Sequence, residues 1–305
     1  MMHLSAALPT QLLGAGGAVG FEWWQVLLIL VAGLWAGTIN TIVGSGTLVT
    51  FPVLVTMGVP PVTASMSNAM GLIAGNLTGA WSYRSELGGL KKTLLKLLPC
   101  SVVGGVIGAY LLLHLPEAVF EVVAPFLIVV ALLFVVFQPK LQAKVRARKE
   151  REARAAAGTP GDAAVPGTAG TAPSAGVQAL VDGSQQPAIL YVLVFLAGIY
   201  GGYFVAAQGV LLVGVLGVFL LAPLQSSNAV KNVLVAAVNI VAALSYMLFA
   251  FDRINWWVVL FIALSSTVGS WLGAKIGKRL SPVALRTVIV VLGLVALANM
   301  VSKLI

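Results

Sequence analysis

Polar side chains recur at matching positions in two otherwise apolar segments of the sequence. Each segment carries three of them at steps of three and eight residues: Ser65, Asn68 and Asn76, and then Asn228, Lys231 and Asn239. The two sets are related by an offset of 163 residues, and Asn232 lies beside the second. Residues at these steps share one face of a helix, and polar faces of membrane helices turn away from lipid. Two such faces predict one shared central binding site, although hydrogen-bonded contacts between helices give the same pattern.

Lys231 is the charged member of these two polar stripes. It lies eight residues after Pro223, which places it about 12 Å into a helix that begins there. No Asp or Glu occurs in the same apolar segment. A buried cation without an acidic partner is costly, is usually functional and suits an anionic substrate. The alternative is that the long side chain extends to the cytoplasmic lipid headgroups.

Glycine-containing breaks interrupt the apolar sequence ahead of both stripes, at residues 44–46 and at residue 209. The polar residues at these breaks are Asn40, Thr41, Ser45 and Thr47 at the first and Gln208 at the second. Irregular backbone at membrane depth is tolerated where it is buried in protein or lines a wet cavity. Free N–H groups at the start of the following helix can bind an anion. We therefore include these residues in the predicted substrate site; the alternative is close packing of glycine, with hydroxyls bonded to their own helix.

The composition defines the class of protein. Of 305 residues, 59% are hydrophobic and 9% are charged, and the mean hydropathy is +1.02. A soluble domain carries about 25% charged residues, so this composition predicts an integral membrane protein. The apolar stretches are also too long and too continuous for the alternating strands of a membrane barrel.

Apolar stretches of membrane-spanning length predict an all-α polytopic protein. They fall at 24–43, 61–82, 93–113, 118–137, 188–207, 223–249, 255–275 and 283–303. Two further stretches, 47–59 and 210–222, are short for a crossing of about 20 residues. Each follows a glycine break and ends near a proline, which indicates short or broken helices that either span or re-enter.

Several kinds of chemistry have no support in the sequence. Cys100 is the single cysteine, and His3 and His114 cannot build a metal site between them, so we predict no metal and no cofactor. Acidic residues lie at predicted helix ends and in loops, which argues against a carboxylate proton relay or an intramembrane protease. No nucleotide-binding loop is present, which makes ATP-driven pumping unlikely. We therefore predict a protein that is not an enzyme.

The two halves of the chain resemble each other. Gly44 matches Gly209 and Gly104 matches Gly269 at an offset of 165, with the same order of break, short helix, proline and long helices. We assign 1–22 to an N-terminal segment, 23–138 to the first membrane repeat and 187–305 to the second. The region between them, 139–186, begins with a basic run and continues in Ala, Gly, Pro and Thr. Such a composition predicts a disordered linker.

Charge predicts the orientation of the halves. In the first half, basic residues concentrate in the first of two compared loops, near 84–96. In the second half, they concentrate in the second of the two equivalent loops, near 275–286. Because basic loops stay in the cytoplasm, equivalent loops face opposite sides. We predict inverted repeats of about five membrane segments each, a cytoplasmic linker and external termini. Inverted repeats are typical of secondary transporters. The basic run at 140–154 is then an orientation signal, with no nucleic-acid partner.

The segments that carry these motifs resemble one known family. AGLWAGTINTIVGSGTLVTFPVLVTMGVPPVTASMSNAMGLIAGNLTGAWSYR resembles the first-half signature of the TauE/SafE-type sulfite exporter family, and AGIYGGYFVAAQGVLLVGVLG with SSNAVKNVLVAAVN resembles its second half. The resemblance covers about 24–137 and 188–303. It implies a polytopic inner-membrane protein that moves sulfite, sulfonates or related small organic anions. The first break reads GSGT where the family often has three or four glycines.

Together these features predict a secondary transporter of a small anion, with sulfite or an organosulfonate implied by the resemblance alone. Its partners would be that anion and the lipid bilayer. The alternative is a membrane scaffold or assembly partner that transports nothing. The sequence leaves the direction of transport, the coupling ion and the oligomeric state open.

Overall fold

The computed structural model describes residues 21–157, 186–206, 208–220, 224–276 and 282–302. These residues form ten α-helices and two short 3-10 turns, Arg84–Leu90 and Phe251–Arg253, with no strand. The α-helices are α1 (Trp23–Ile42), α2 (Thr47–Thr56), α3 (Pro61–Ser82), α4 (Lys91–His114), α5 (Glu117–Ala157), α6 (Ala188–Tyr203), α7 (Gln208–Phe219), α8 (Leu224–Phe249), α9 (Trp256–Ile276) and α10 (Pro282–Ser302). The predicted all-α polytopic membrane fold is confirmed.

Five stretches in the described part of the chain are long and apolar enough to cross a membrane. They are Trp23–Ile42, Arg84–His114, Glu117–Phe137, Gln225–Phe249 and Trp256–Ile276. Helices α2 and α7, which follow the breaks, have 10 and 12 residues. At 1.5 Å per residue they extend only about 15–18 Å, against a hydrocarbon core of about 30 Å. The prediction of short helices after the breaks is therefore correct.

Helix α5 runs further than we predicted. We expected disorder from residue 139, but the helix continues to Ala157, so the prediction was wrong for 139–157. The physical reason is composition: residues 140–157 are mostly Ala, Lys, Arg and Glu, which are among the strongest helix formers. The remainder of the predicted linker, 158–185, and residues 1–20 of the N-terminal segment lie outside the described residues.

The helices of the two halves pack in the same pattern. Helix α1 packs on α9 as α6 packs on α4, α3 packs on α9 as α8 packs on α4, and α2 packs on α10 as α7 packs on α5. Helix α3 also packs on its own counterpart, α8. Exchanging the halves therefore leaves the principal pairings unchanged, which supports two structural repeats. Their opposite orientation in the membrane stays a prediction.

The two glycine breaks meet. A Cβ added to Gly209 would lie 2.6 Å from the Cα of Gly44, and one added to Gly44 would lie 2.5 Å from the carbonyl carbon of Gly209. Gly44 also has φ +94°, a left-handed conformation that glycine adopts without steric cost. At the second break the positive φ falls on Val205, at 64°, where a β-branched residue is strained.

Two loops from different halves lie at the same end of the bundle. Arg253, in the turn after α8, forms an ion pair with Glu117 at the start of α5. Nearby, the backbone N–H of Asn255 donates to the hydroxyl of Ser67 at 2.9 Å. The charge pattern assigns both loops to the external side, so this contact is compatible with that topology.

Candidate functional site

The site is built around the carbonyl end of α1. The N–H groups of Val43 and Gly44 both donate to the carbonyl of Ile39, at 2.7 and 3.1 Å, and close the helix. The next two carbonyls, of Asn40 and Thr41, lie beyond this closure. The last carbonyls of any helix lack partners within it, so these two buried oxygens need donors from elsewhere.

Lys231 supplies those donors from the other half of the chain. Its Nζ donates to the carbonyl oxygen of Asn40 at 2.8 Å and to that of Thr41 at 3.3 Å. The side chain is 1% exposed, and it is the one charged side chain among the buried residues that the structure describes. The ammonium is thus directed at the break of α1 and is enclosed within the bundle. Two of its three N–H groups are used in this way.

Asn40 connects this break to α3. Its side-chain amide donates to the side-chain oxygen of Asn76, and its own side-chain oxygen accepts from the N–H of Gly46 at 3.4 Å. The Nδ2 of Asn76 is buried and has no hydrogen-bond partner among the described residues. Both of its N–H groups are therefore free to bind a further acceptor.

Thr41 and Asn232 approach each other at Gly79. A Cβ added to Gly79 would lie 3.1 Å from the Thr41 hydroxyl and 3.4 Å from the Nδ2 of Asn232. That Nδ2 is also buried without a partner in the described residues. We call Asn40, Thr41, Asn76, Lys231 and Asn232 the Lys231 cluster. It holds one basic side chain, no acidic side chain and two unpaired amide donors.

Asn68 and Thr47 form a separate contact within the first half. The Asn68 amide donates to the Thr47 hydroxyl at 3.1 Å, and the Thr50 hydroxyl donates to the Asn68 side-chain oxygen. All three side chains are buried. This contact joins α2 to α3 and uses both polar atoms of Asn68, so these three residues form hydrogen bonds between the two helices.

The remaining predicted residues are buried but are not connected to the Lys231 cluster by any hydrogen bond within the described residues. They are Ser45, Ser65, Gln208, Asn228 and Asn239. Each keeps at least one side-chain polar atom without a partner in the described structure. Buried polar groups are normally hydrogen-bonded, so these atoms point to water or a polar ligand inside the bundle. Gln208 lies against Gly201 at the second break.

Sequence reasoning did not single out Thr50, Tyr203 or Tyr246 as functional candidates. The Tyr246 hydroxyl donates to the carbonyl of Gly202 at 3.0 Å, near the end of α6. Tyr203 has a buried hydroxyl with no partner among the residues that the structure describes. At the offset of 163 residues Tyr246 matches Tyr83, but the sequence contains no sign of the carbonyl that Tyr246 binds.

The comparisons with known proteins agree with this architecture. Residues 29–300 match the family model described as "Sulfite exporter TauE/SafE". The match covers most of the chain, so the chain belongs to the TauE/SafE family. Two curated relatives are a "Probable membrane transporter protein" of Haemophilus influenzae and a "Probable membrane transporter protein ORF9" of a Sinorhizobium species.

Both relatives are 28% identical to the chain, over 114 and 113 residues. The match covers 37% of this chain in each case, and 45% and 43% of the relatives. The chain therefore spans less than half of the length of the curated relatives it matches. No solved structure matches it. Family and fold together define a multi-pass membrane protein of a transporter family.

Proposed function

We propose that this protein is a secondary transporter of a small anion, and that the Lys231 cluster is part of its binding site. The observation that carries the proposal is a fully buried basic side chain with no buried acid to balance it in the part of the chain that the structure describes. Burying an unpaired charge is costly, and a bound anion would offset that cost. Among anions, family membership favours sulfite or an organosulfonate.

The cluster offers the anion a suitable set of donors. Lys231 has a third N–H beyond the two that bind α1, and Asn76 and Asn232 each present an unpaired side-chain amide. Sulfite and sulfonates carry three oxygens that accept hydrogen bonds. Hydrogen bonds to a charged group are stronger than neutral ones, so donors of this kind would bind an anion more tightly than a neutral molecule of the same shape.

The position of Lys231 also suggests how binding is linked to movement. Its contacts with Asn40 and Thr41 join the second half of the chain to the first. Alternating access in transporters with repeats moves one repeat against the other around a fixed site. An anion bound to the ammonium would thus act at the junction of the two moving parts.

The proposal includes a cellular arrangement. The inner membrane follows from the family resemblance, and a cytoplasmic linker and external termini follow from the charge pattern of the loops. Chemistry on the substrate is not part of the proposal, because the Lys231 cluster contains no general acid and base pair. The rival function is a membrane scaffold that transports nothing.

Flux through purified protein in liposomes tests this function. We expect saturable movement of labelled sulfite or a small alkanesulfonate, and none of an organic cation of similar size. Folded protein that moves none of these anions would refute the proposal and favour the scaffold.

Site variants make this test specific. Replacing a donor to a charged ligand costs about 1.5–3 kcal/mol, so Asn76→Ala and Asn232→Ala are each expected to raise the KM for the anion about tenfold or more. Thr78→Ala is the matched control on α3, because the Thr78 hydroxyl bonds the carbonyl of Ala74 in its own helix at 2.9 Å. Equal KM values in all three variants would remove the two asparagines from the site.

A further inference from the structure

Both broken helices end on carbonyls that accept hydrogen bonds from α8, but the donors differ in charge. At the end of α1, Lys231 Nζ binds the carbonyls of Asn40 and Thr41. Near the end of α6, the neutral hydroxyl of Tyr246 binds the carbonyl of Gly202 at 3.0 Å. A neutral side chain therefore suffices to satisfy a buried carbonyl in this fold, and hydrogen bonding alone does not account for a charge at α1.

The electrostatics of the helix end account better for a charged donor at α1. The carbonyl end of a helix carries a partial negative charge and attracts cations. In transporters with discontinuous helices, carbonyls at such ends hold Na⁺ or H⁺. The ammonium of Lys231 is a single positive charge directed at two carbonyls of this kind, and the structure describes no other charged side chain that is buried.

We propose that the Lys231 ammonium is a built-in cation that occupies a monovalent-cation site at the carbonyl end of α1. The site consists of the Asn40 and Thr41 carbonyl oxygens, with the Thr41 hydroxyl nearby. The protein thereby supplies a positive charge of its own and requires no Na⁺ at this position. This inference goes beyond anion transport, since the cation site exists whether or not an anion is moved.

Removing the ammonium should expose the site to inorganic cations. Lys231→Ala and Lys231→Ser leave the two carbonyls without their donor and open the volume of a long side chain. A small monovalent cation with one or two waters would then bind there. Wild-type protein, whose site is filled, should not respond to the cation supplied.

The experiment measures melting temperatures of the full chain in lipid nanodiscs, in NaCl, KCl, LiCl or choline chloride at equal ionic strength. When the free ion is at ten times the dissociation constant of the site, the unfolding constant falls about tenfold, which raises Tm by about 2 °C for a protein of this size. We expect at least one of the small ions, and not choline, to raise the Tm of the Ala and Ser variants by this amount. The wild type should melt at the same temperature in all four salts.

Two further variants serve as controls. Lys231→Arg keeps a fixed charge, so it should show no ion-specific stabilisation. Asn68→Ala removes the pseudo-equivalent residue of the first half, which binds Thr47 and Thr50 and not the end of α1. It should lower Tm equally in every salt.

Each outcome of these melting experiments either supports or overturns the proposal. Ion-specific stabilisation, or folded protein obtained only when a small cation is supplied, in Lys231→Ala or Lys231→Ser supports the proposal. Equal Tm values in all salts, or failure of both variants to fold in any salt, overturns it. Because the readout is stability, a failure here is distinct from a failure to detect anion flux.

Discussion

The contact between the two glycine breaks makes a quantitative prediction about Gly209→Ala. The added Cβ would lie 2.6 Å from the Cα and from the carbonyl oxygen of Gly44. Two carbon atoms in unstrained contact are at least about 3.5 Å apart. Helix α7 would have to move away from the first break by almost 1 Å. Overpacking of this kind costs about 1–3 kcal/mol, reduced by up to about 1 kcal/mol for the better helix propensity of Ala.

Gly217→Ala is the control that separates the steric cost of the added methyl group from its effect on helix propensity. Gly217 lies on the same helix, and a Cβ there would meet nothing within 4 Å. Its substitution gains the propensity of Ala, up to about 1 kcal/mol, without a clash. The difference in unfolding free energy between the two variants should therefore be about 1–3 kcal/mol, with Gly209→Ala the less stable.

The assay follows thermal unfolding through intrinsic tryptophan fluorescence in detergent or nanodiscs, with both variants prepared in parallel. We expect Gly209→Ala to melt about 2–5 °C below Gly217→Ala. Equal melting temperatures would mean that the two breaks do not touch, and would refute the packing on which the central site depends.

Three other results are expected. Gly79→Ala places a methyl group against the Lys231 cluster, so it should weaken anion transport. Gly88→Ala is the control, because a Cβ there meets nothing within 4 Å, and it should leave transport unchanged. Equal flux in both variants would remove Gly79 from the pathway. Cysteines introduced at 158–185 should be protected from an impermeant reagent in intact cells, and those between α4 and α5 should be labelled; labelling of 158–185 would contradict the topology. Shortening 158–185 to a brief Gly/Ser spacer should leave insertion and flux nearly intact, because loop-closure cost changes slowly with length; loss of either would give that segment a structural role.

The sequence predicted the helices well because apolar length and glycine breaks are local signals. Helices α1, α3 and α9 begin and end within a few residues of the predicted stretches. The error at 139–157 arose because low hydrophobicity was taken to indicate disorder, although Ala, Lys, Arg and Glu favour an exposed helix. Helix propensity was the local signal that could have corrected it.

The site was only partly predictable. The repeat places Asn68 and Lys231 at equivalent positions, but their contacts differ. Asn68 meets the hydroxyls of Thr47 and Thr50 on α2. The matching positions on α7, at the offset of 165, are Leu212 and Val215, which offer Lys231 no polar partner.

Lys231 instead reaches α1, and no pattern of side chains reveals this contact. The acceptors are backbone carbonyls, which every residue possesses, and only the end of the helix determines which of them are free. Sequence therefore identified the polar residues but not the pairs that they form.

The charge of Lys231 is the central claim, and anion flux in proteoliposomes at matched protein density tests it most directly. Lys231→Gln keeps a donor for the carbonyls of α1 but removes the charge, and Lys231→Arg keeps the charge with altered geometry. Losing the partner of a buried ion costs about 3–5 kcal/mol, so the Gln variant should lose at least a hundredfold in kcat/KM for the anion, while the Arg variant retains partial activity. Melting temperatures recorded beside the flux should show that both variants are folded. Flux by folded Lys231→Gln protein equal to that of the wild type would contradict the account.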